Sequence, residues 1–184
     1  MKVLDTKIPD VKIIEPTVYR DERGHFLEPY NAQKFREAFG FKPKFCQTNE
    51  SFSKKGTIRG LHFQKEPFSQ AKLVRVIVGK VLDVVVDCRL ESSSFGQHVA
   101  VELSAKNFLE LWIPKGFAHG FQVLSETAVL NYQVDAPYMP TTQLAINPFD
   151  KYLNVSWNRE LNLTINDNDR HAAEFLSVFD KGRI

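Results

Sequence analysis

Short apolar runs recur at regular spacing from about residue 44 to residue 134. Leu73–Val78 and Val81–Val86 are rich in β-branched residues, and the Gly79-Lys80 pair between them predicts a tight hairpin. Gln97–Leu103 alternates with period two, placing Val99, Val101 and Leu103 on one face. Leu109–Ile113, Phe121–Leu124 and Ala128–Val134 continue the series. Earlier, Phe45–Ser51 also reads as β, with the polar pair Gln47 and Asn49 on the same face as Phe45. A sheet face carrying those two amides suits a polar pocket floor. Val11–Tyr19 reads as two strands interrupted at Pro16, and Asp21–Tyr30 as a turn leading into Phe26-Leu27-Glu28. In the first half the spacing predicts a helix over Asn31–Phe39, capped by Asn31, with Phe35 and Phe39 on one face and Gly40 as its stop. After Pro137 the pattern predicts a short strand at Asn154–Trp157 and a terminal helix over Arg170–Phe179. Many short strands without alternating helices favour an antiparallel sandwich or barrel. No internal repeat or linker divides the chain, so one domain over residues 1–184 is expected.

Composition narrows the function classes. A net charge of +2 with no basic block gives no reason to expect a nucleic-acid partner. No apolar run is long enough to cross a membrane as a helix, and Met1 is followed by mixed polar residues rather than a leader core. Cys46 and Cys88 are too few for a disulfide framework. Two free thiols in a reducing, cytoplasmic compartment are expected.

The candidate chemistry gathers in Gly56–Val78, GTIRGLHFQKEPFSQAKLVRVIV. His62 follows Arg59 closely, and Lys72 opens an apolar run, so a base, a guanidinium fork and an ammonium share one segment. That grouping predicts the floor of a cleft for an anionic, carbonyl-bearing small molecule. His62 suits a general base because imidazole titrates near working pH. Such a base needs an orienting acceptor, and Asp167, Asp169 and Glu174 are all candidates by position. Lys72 can stabilise a developing enolate. Tyr132, on a predicted strand, can protonate a carbanion from the face opposite a histidine. Arg23 and Arg59 can grip a diphosphate with paired donors. Of the other histidines, His119 lies between glycine and aromatic residues, whereas His25, His98 and His171 suit surface or loop roles. No metal is expected: Gln64 stands two residues after His62 where a second ligand would fall, and no carboxylate follows at short spacing.

These residues lie in an ordered series: RDERGHFLE, QTNESFS, GTIRGLHFQ, QAKLVRVIVGKVLDVVVDCR, SSSFGQ, LWIPKGFAHGF and DAPY. The series resembles the dTDP-4-dehydrorhamnose 3,5-epimerase family over nearly the whole chain. The resemblance implies an all-β, cupin-type antiparallel β-sandwich or jelly roll with a few short peripheral helices. It also implies a homodimer that uses no metal or cofactor and inverts C3 and C5 of dTDP-4-dehydro-6-deoxy-D-glucose, a dTDP-4-keto-6-deoxysugar. At matching positions it makes His62 the base, Asp169 its orienting carboxylate, Tyr132 the acid and Lys72 the enolate stabiliser. Arg23, Phe26, Glu28, Gln47, Asn49, Arg59, His119 and Tyr138 become nucleotide-sugar contacts. The N-terminal strand Val11–Ile14 is expected to add to a neighbour's sheet. The chain departs from the family pattern at Gln133, Gln143 and Asn168, where Lys, Glu and Lys are common. Rival readings are a single-site C3 or C5 epimerase and a keto-isomerase; a non-catalytic sugar-binding barrel would need the cleft but no acid–base pair.

Overall fold

Period-two alternation gives each long strand one apolar face, and two sheets meet across those faces. The computed structural model describes residues 1–180. In chain order its elements are β1 (Lys2–Asp5), β2 (Lys12–Glu15), β3 (Val18–Asp21), β4 (Gly24–Leu27), α1 (Ala32–Phe39), β5 (Gln47–Lys54) and β6 (Ile58–Gln64). They continue with β7 (Lys72–Val78), β8 (Lys80–Asp87), β9 (His98–Ser104), β10 (Glu110–Ile113), β11 (Phe117–Val123) and β12 (Thr127–Val134). After β13 (Gln143–Ala145) come two short turns of helix, α2 (Asp167–Arg170) and α3 (Phe175–Val178).

A large antiparallel sheet runs in the order β1-β2-β10-β7-β12-β5, and a small one in the order β13-β6-β11-β8-β9. Strands β3 and β4 form a separate hairpin. Between the two sheets, Val74 and Val76 of β7, Leu111 and Ile113 of β10, and Leu130 of β12 pack against Val81, Val85, Phe117 and Phe121. The outer face of the small sheet is covered by the C-terminal segment through Leu153, Val155, Trp157, Phe175 and Val178. Helix α1 covers part of the large sheet, where Phe35 meets Trp112 edge to face at 5.1 Å. The expected all-β sandwich with short peripheral helices is what forms.

Helix α1 begins and ends where its capping residues predict. The Asn31 side chain accepts hydrogen bonds from the Gln33 and Lys34 N–H groups, and Gly40 closes the helix in the left-handed region. Three other expectations fail. Gly79-Lys80 makes no hairpin: β7 and β8 belong to different sheets, and the pair is the corner between them. A Cβ at Gly79 would fall 2.0 Å from the Thr127 carbonyl oxygen, so glycine is required where the chain crosses over. Asn154–Trp157 has the burial alternation of a strand but no ladder partner among the described residues; Trp157 donates its indole N–H to the Pro148 carbonyl. The terminal helix is split into α2 and α3, because Ala173 between them bridges to Ile146. The strand expected to reach a neighbour, β2, is hydrogen-bonded on both sides within its own chain, and the open edges of its sheet are β1 and β5.

Glu110, on the outer face of β10 opposite Arg75, is fully buried and neither carboxylate oxygen has a hydrogen-bond partner among the described residues. Burial pushes its carboxyl up to about 8, against the pull of Arg75. The folded chain therefore holds a proton that the unfolded chain releases near its ordinary carboxyl pKa, so stability falls as pH rises from about 4.5 towards 8. Glu110→Gln is expected to raise unfolding free energy near pH 7 by roughly 1–3 kcal/mol, with almost no gain near pH 4.5. Thermal melts of both proteins across that range check it; an equal gain at every pH would contradict it.

Candidate active site

The site lies between the two sheets, against the β6–β11 pair of the small sheet, whose backbones come close at Gly60 and Gly120. Gly60 and Gly120 make that approach possible: a Cβ on Gly60 would lie 2.6 Å from the Gly120 Cα, and one on Gly120 would lie 2.6 Å from the Arg59 carbonyl oxygen. The register irregularity at Gly120 sets His119 directly opposite His62. Leu61 and Phe63 face the outer cluster, which leaves His62 facing the interior.

His62 Nε2 lies 2.6 Å from Asp169 Oδ1, and the Gly60 backbone N–H donates to Asp169 Oδ2 at 3.0 Å. Helix α2 positions that carboxylate: the Asn166 side chain accepts from the Asp169 N–H at 2.6 Å and caps the turn. Asp169 is 2% exposed. Burial raises its pKa, but the hydrogen bonds from His62 and Gly60 outweigh burial and hold the carboxyl below its ordinary value. An ionised Asp169 favours the tautomer with the proton on His62 Nε2, which leaves the ring's lone pair on Nδ1. Of the three acceptors the spacing left open, geometry selects Asp169.

His119 is held in a parallel way. Its Nε2 lies 2.9 Å from each carboxylate oxygen of Asp83, which is wholly buried on β8. Lys72, at the start of β7, is 7% exposed. Burial lowers its ammonium to about 8, with Asp135 and Asp83 pulling the other way, so it remains mostly charged at neutral pH. Burial raises the Tyr132 phenol above its usual value, with Arg59 opposing.

These side chains line one cavity of about 230 Å³. The small sheet contributes Arg59, His62 and His119; the large sheet contributes Ser51, Lys72 and Tyr132. Histidine and tyrosine thus stand on opposing walls. A cavity of this size holds a sugar ring rather than a whole nucleotide sugar. Arg59 is exposed at its rim, where its Nε donates to Ser53 Oγ at 2.9 Å. Among the described residues no group of three or more His, Cys, Asp or Glu is arranged to hold a metal ion.

Six of the expected site residues, Arg59, His62, Lys72, His119, Tyr132 and Asp169, are brought together. The others lie elsewhere in the single chain. Arg23 and Phe26 are exposed on the β3–β4 hairpin around a separate hollow, with Arg23 paired to Asp21 at 2.6 Å. Glu28 pairs with Lys34 at 2.7 Å, and Tyr138 is 54% exposed beyond the end of β12. Gln47 and Asn49 bond to each other on the edge strand β5, at 2.7 Å. Gln133 proves remote from the cavity, since it lines a recess on the outer face of the large sheet with Arg75 and Glu110. Sequence reasoning missed Asp83, Ser51 and Asn166. A lone acid inside Val81–Val86 marked the first, and the alternation of Gln47 and Asn49 leads to the second.

The sequence profile of the family described as dTDP-4-dehydrorhamnose 3,5-epimerase matches residues 5–177. The dTDP-4-dehydrorhamnose 3,5-epimerase of Shigella flexneri is 48% identical over 178 residues, covering 97% of this chain and 98% of that one. The crystal structure of dTDP-6-deoxy-D-glucose-3,5-epimerase from Legionella pneumophila, in complex with dTDP-4-keto-L-rhamnose, superposes with a TM-score of 0.91 at 42% identity, covering 95% and 93% of the two chains. A 3'-monoepimerase from Streptomyces bikiniensis in complex with dTDP-quinovose is also similar, with a TM-score of 0.92 at 29% identity and coverage of 98% and 91%. The chain therefore belongs to the dTDP-4-dehydrorhamnose 3,5-epimerase family of isomerases.

Proposed function

We propose that the pocket inverts C3 and C5 of dTDP-4-dehydro-6-deoxy-D-glucose by a histidine base and a tyrosine acid acting from opposite faces of the sugar. The observation that carries this reading is the placement of His62 and Tyr132 on opposing sheets of one cavity. His62 Nδ1 removes the proton from a carbon next to the 4-keto group, and Asp169 stabilises the imidazolium that results. The electron pair moves to the ketone oxygen, where the Lys72 ammonium stabilises the enolate. Tyr132 returns a proton to the other face of the same carbon, so the centre inverts. The 4-keto group acidifies both neighbouring carbons, so the chemistry calls for no cofactor.

The cavity accommodates the sugar, so the nucleotide must lie beyond Arg59. Arg23, Phe26 and Glu28 stand on a projecting, solvent-exposed segment of their own chain. We assign them, with Gln47, Asn49 and Tyr138, to nucleotide contacts completed by the hairpin of a second copy. A dimeric mass at micromolar concentration is expected by light scattering; a monomer at full activity would contradict the assignment. The thiols of Cys46 and Cys88 are both free, and no helix among the described residues is long and apolar enough to cross a membrane, which supports a cytoplasmic enzyme.

Hydride reduction of the reaction product, followed by sugar analysis, tests the reaction itself. Recovery of L-rhamnose and its C4 epimer supports double inversion. Recovery of D-configured sugars alone would overturn it, and a sugar inverted at C3 only would assign the chain to the monoepimerase reaction.

A further inference from the structure

The inner face of β5 presents four polar residues to the sandwich, Gln47, Asn49, Ser51 and Ser53. Three have partners: Gln47 donates to Asn49 at 2.7 Å, and Ser53 accepts from Arg59 at 2.9 Å. Ser51 has none. Its hydroxyl oxygen is shielded from solvent and makes no hydrogen bond among the described residues, although Ser51 is one of the residues lining the catalytic cavity. A shielded hydroxyl without a partner destabilises the fold, and a methyl group in its place would remove that defect. An unpartnered hydroxyl on a residue of the cavity wall points to a partner that arrives with the substrate.

Position indicates which part of the substrate that is. In the pairing of β5 with β12, Asn49 lies opposite Tyr132, and Ser51 is one inward position further along, opposite Leu130. The next inward position is Ser53, which holds the Arg59 guanidinium. Ser51 therefore stands between the phenol that acts on the sugar ring and the arginine at the rim. A short, uncharged group that both donates and accepts matches a sugar hydroxyl or ring oxygen.

We propose that Ser51 is a positioning residue that hydrogen-bonds the pyranose of the bound nucleotide sugar at its phosphate-linked end, fixing the ring between the two sheets. This rests on the reading of the pocket as the sugar site. The hydroxyl transfers no proton to carbon, so its effect falls on binding of the sugar.

Ser51→Ala tests the assignment on the purified full-length protein, with dTDP-4-dehydro-6-deoxy-D-glucose and dTDP as probes. KM for the sugar nucleotide is expected to rise about three- to tenfold while kcat changes little, the value of one hydrogen bond. Affinity for dTDP alone, measured calorimetrically, should stay unchanged, and Tm should stay level or rise. An unchanged KM would overturn the proposal. Equal weakening of dTDP would move the contact to the nucleotide and overturn the sugar assignment. A fall in Tm of several degrees would make the hydroxyl structural and overturn it too. Absence of turnover by the unmodified protein would instead refute the parent reading, so the two failures are distinguishable.

Discussion

His62→Gln is expected to lower kcat/KM by about 10³–10⁴-fold while leaving the fold intact. The magnitude follows from what the imidazole alone supplies. Its Nδ1 is the basic atom proposed to face the sugar, and its Nε2 is committed to Asp169 at 2.6 Å. Glutamine is the informative substitution because its amide nitrogen reaches the position of the imidazole Nε2 and can still donate to the buried carboxylate. Alanine would leave Asp169 with the Gly60 N–H as the remaining donor to its side chain, at a cost of about 1–3 kcal/mol to the fold. Glutamine removes the base and keeps that hydrogen bond. Steady-state kinetics together with a thermal melt check both halves. Activity within tenfold of the parent would remove His62 from the role of base.

Tyr132→Phe is expected to separate proton removal from inversion. With His62 and Asp169 untouched, abstraction and return on the base's own face continue, so the substrate still exchanges hydrogen with solvent. Delivery from the opposite wall is lost, and formation of inverted product should fall by about 10²–10³-fold. Burial keeps the Tyr132 phenol above its usual pKa, which favours the protonated form required of an acid. The measurement is a comparison of solvent deuterium in recovered substrate with the rate of product appearance. Inversion at the parent rate would show that another group is the acid. Equal loss of exchange and inversion would show that Tyr132 is needed for the first step as well.

Local chemistry made parts of this molecule legible in its sequence. Asn31 and Gly40 bound a helix because capping is settled by neighbours along the chain. The β character of Leu73–Val78 and Val81–Val86 was equally plain, since β-branched runs suit a pleated, half-buried surface, and both lie within observed strands. What Gly79 does between them was not legible: a glycine with positive φ serves a hairpin or a corner equally, and only the pairing of β7 and β8 into different sheets distinguishes them. Asn154–Trp157 shows the same limit. Its alternation correctly marks which side chains are buried, but a strand also requires a partner, which a local pattern cannot provide.

The candidate site divides along the same line. His62, Lys72, Tyr132 and Arg59 stood out as unusual residues within apolar or glycine-bounded runs, and they share the cavity. The pairing of His62 with Asp169 spans 107 positions, and local spacing could not choose it over Asp167 or Glu174. Gln133, one of the departures from the family pattern, lies away from the acid for a simple reason. It follows Tyr132 directly, but successive residues of a strand face opposite sides of the sheet, so this neighbour of the acid lies outside the pocket.

The central claim is that one histidine and one tyrosine, on opposite walls of one cavity, invert two carbons of the same sugar. Incubation with dTDP-4-dehydro-6-deoxy-D-glucose in D2O, followed by NMR of the product, tests it most directly. The account predicts deuterium at both C3 and C5, with both centres inverted. Label at a single carbon, or inverted product carrying no solvent deuterium, would contradict it.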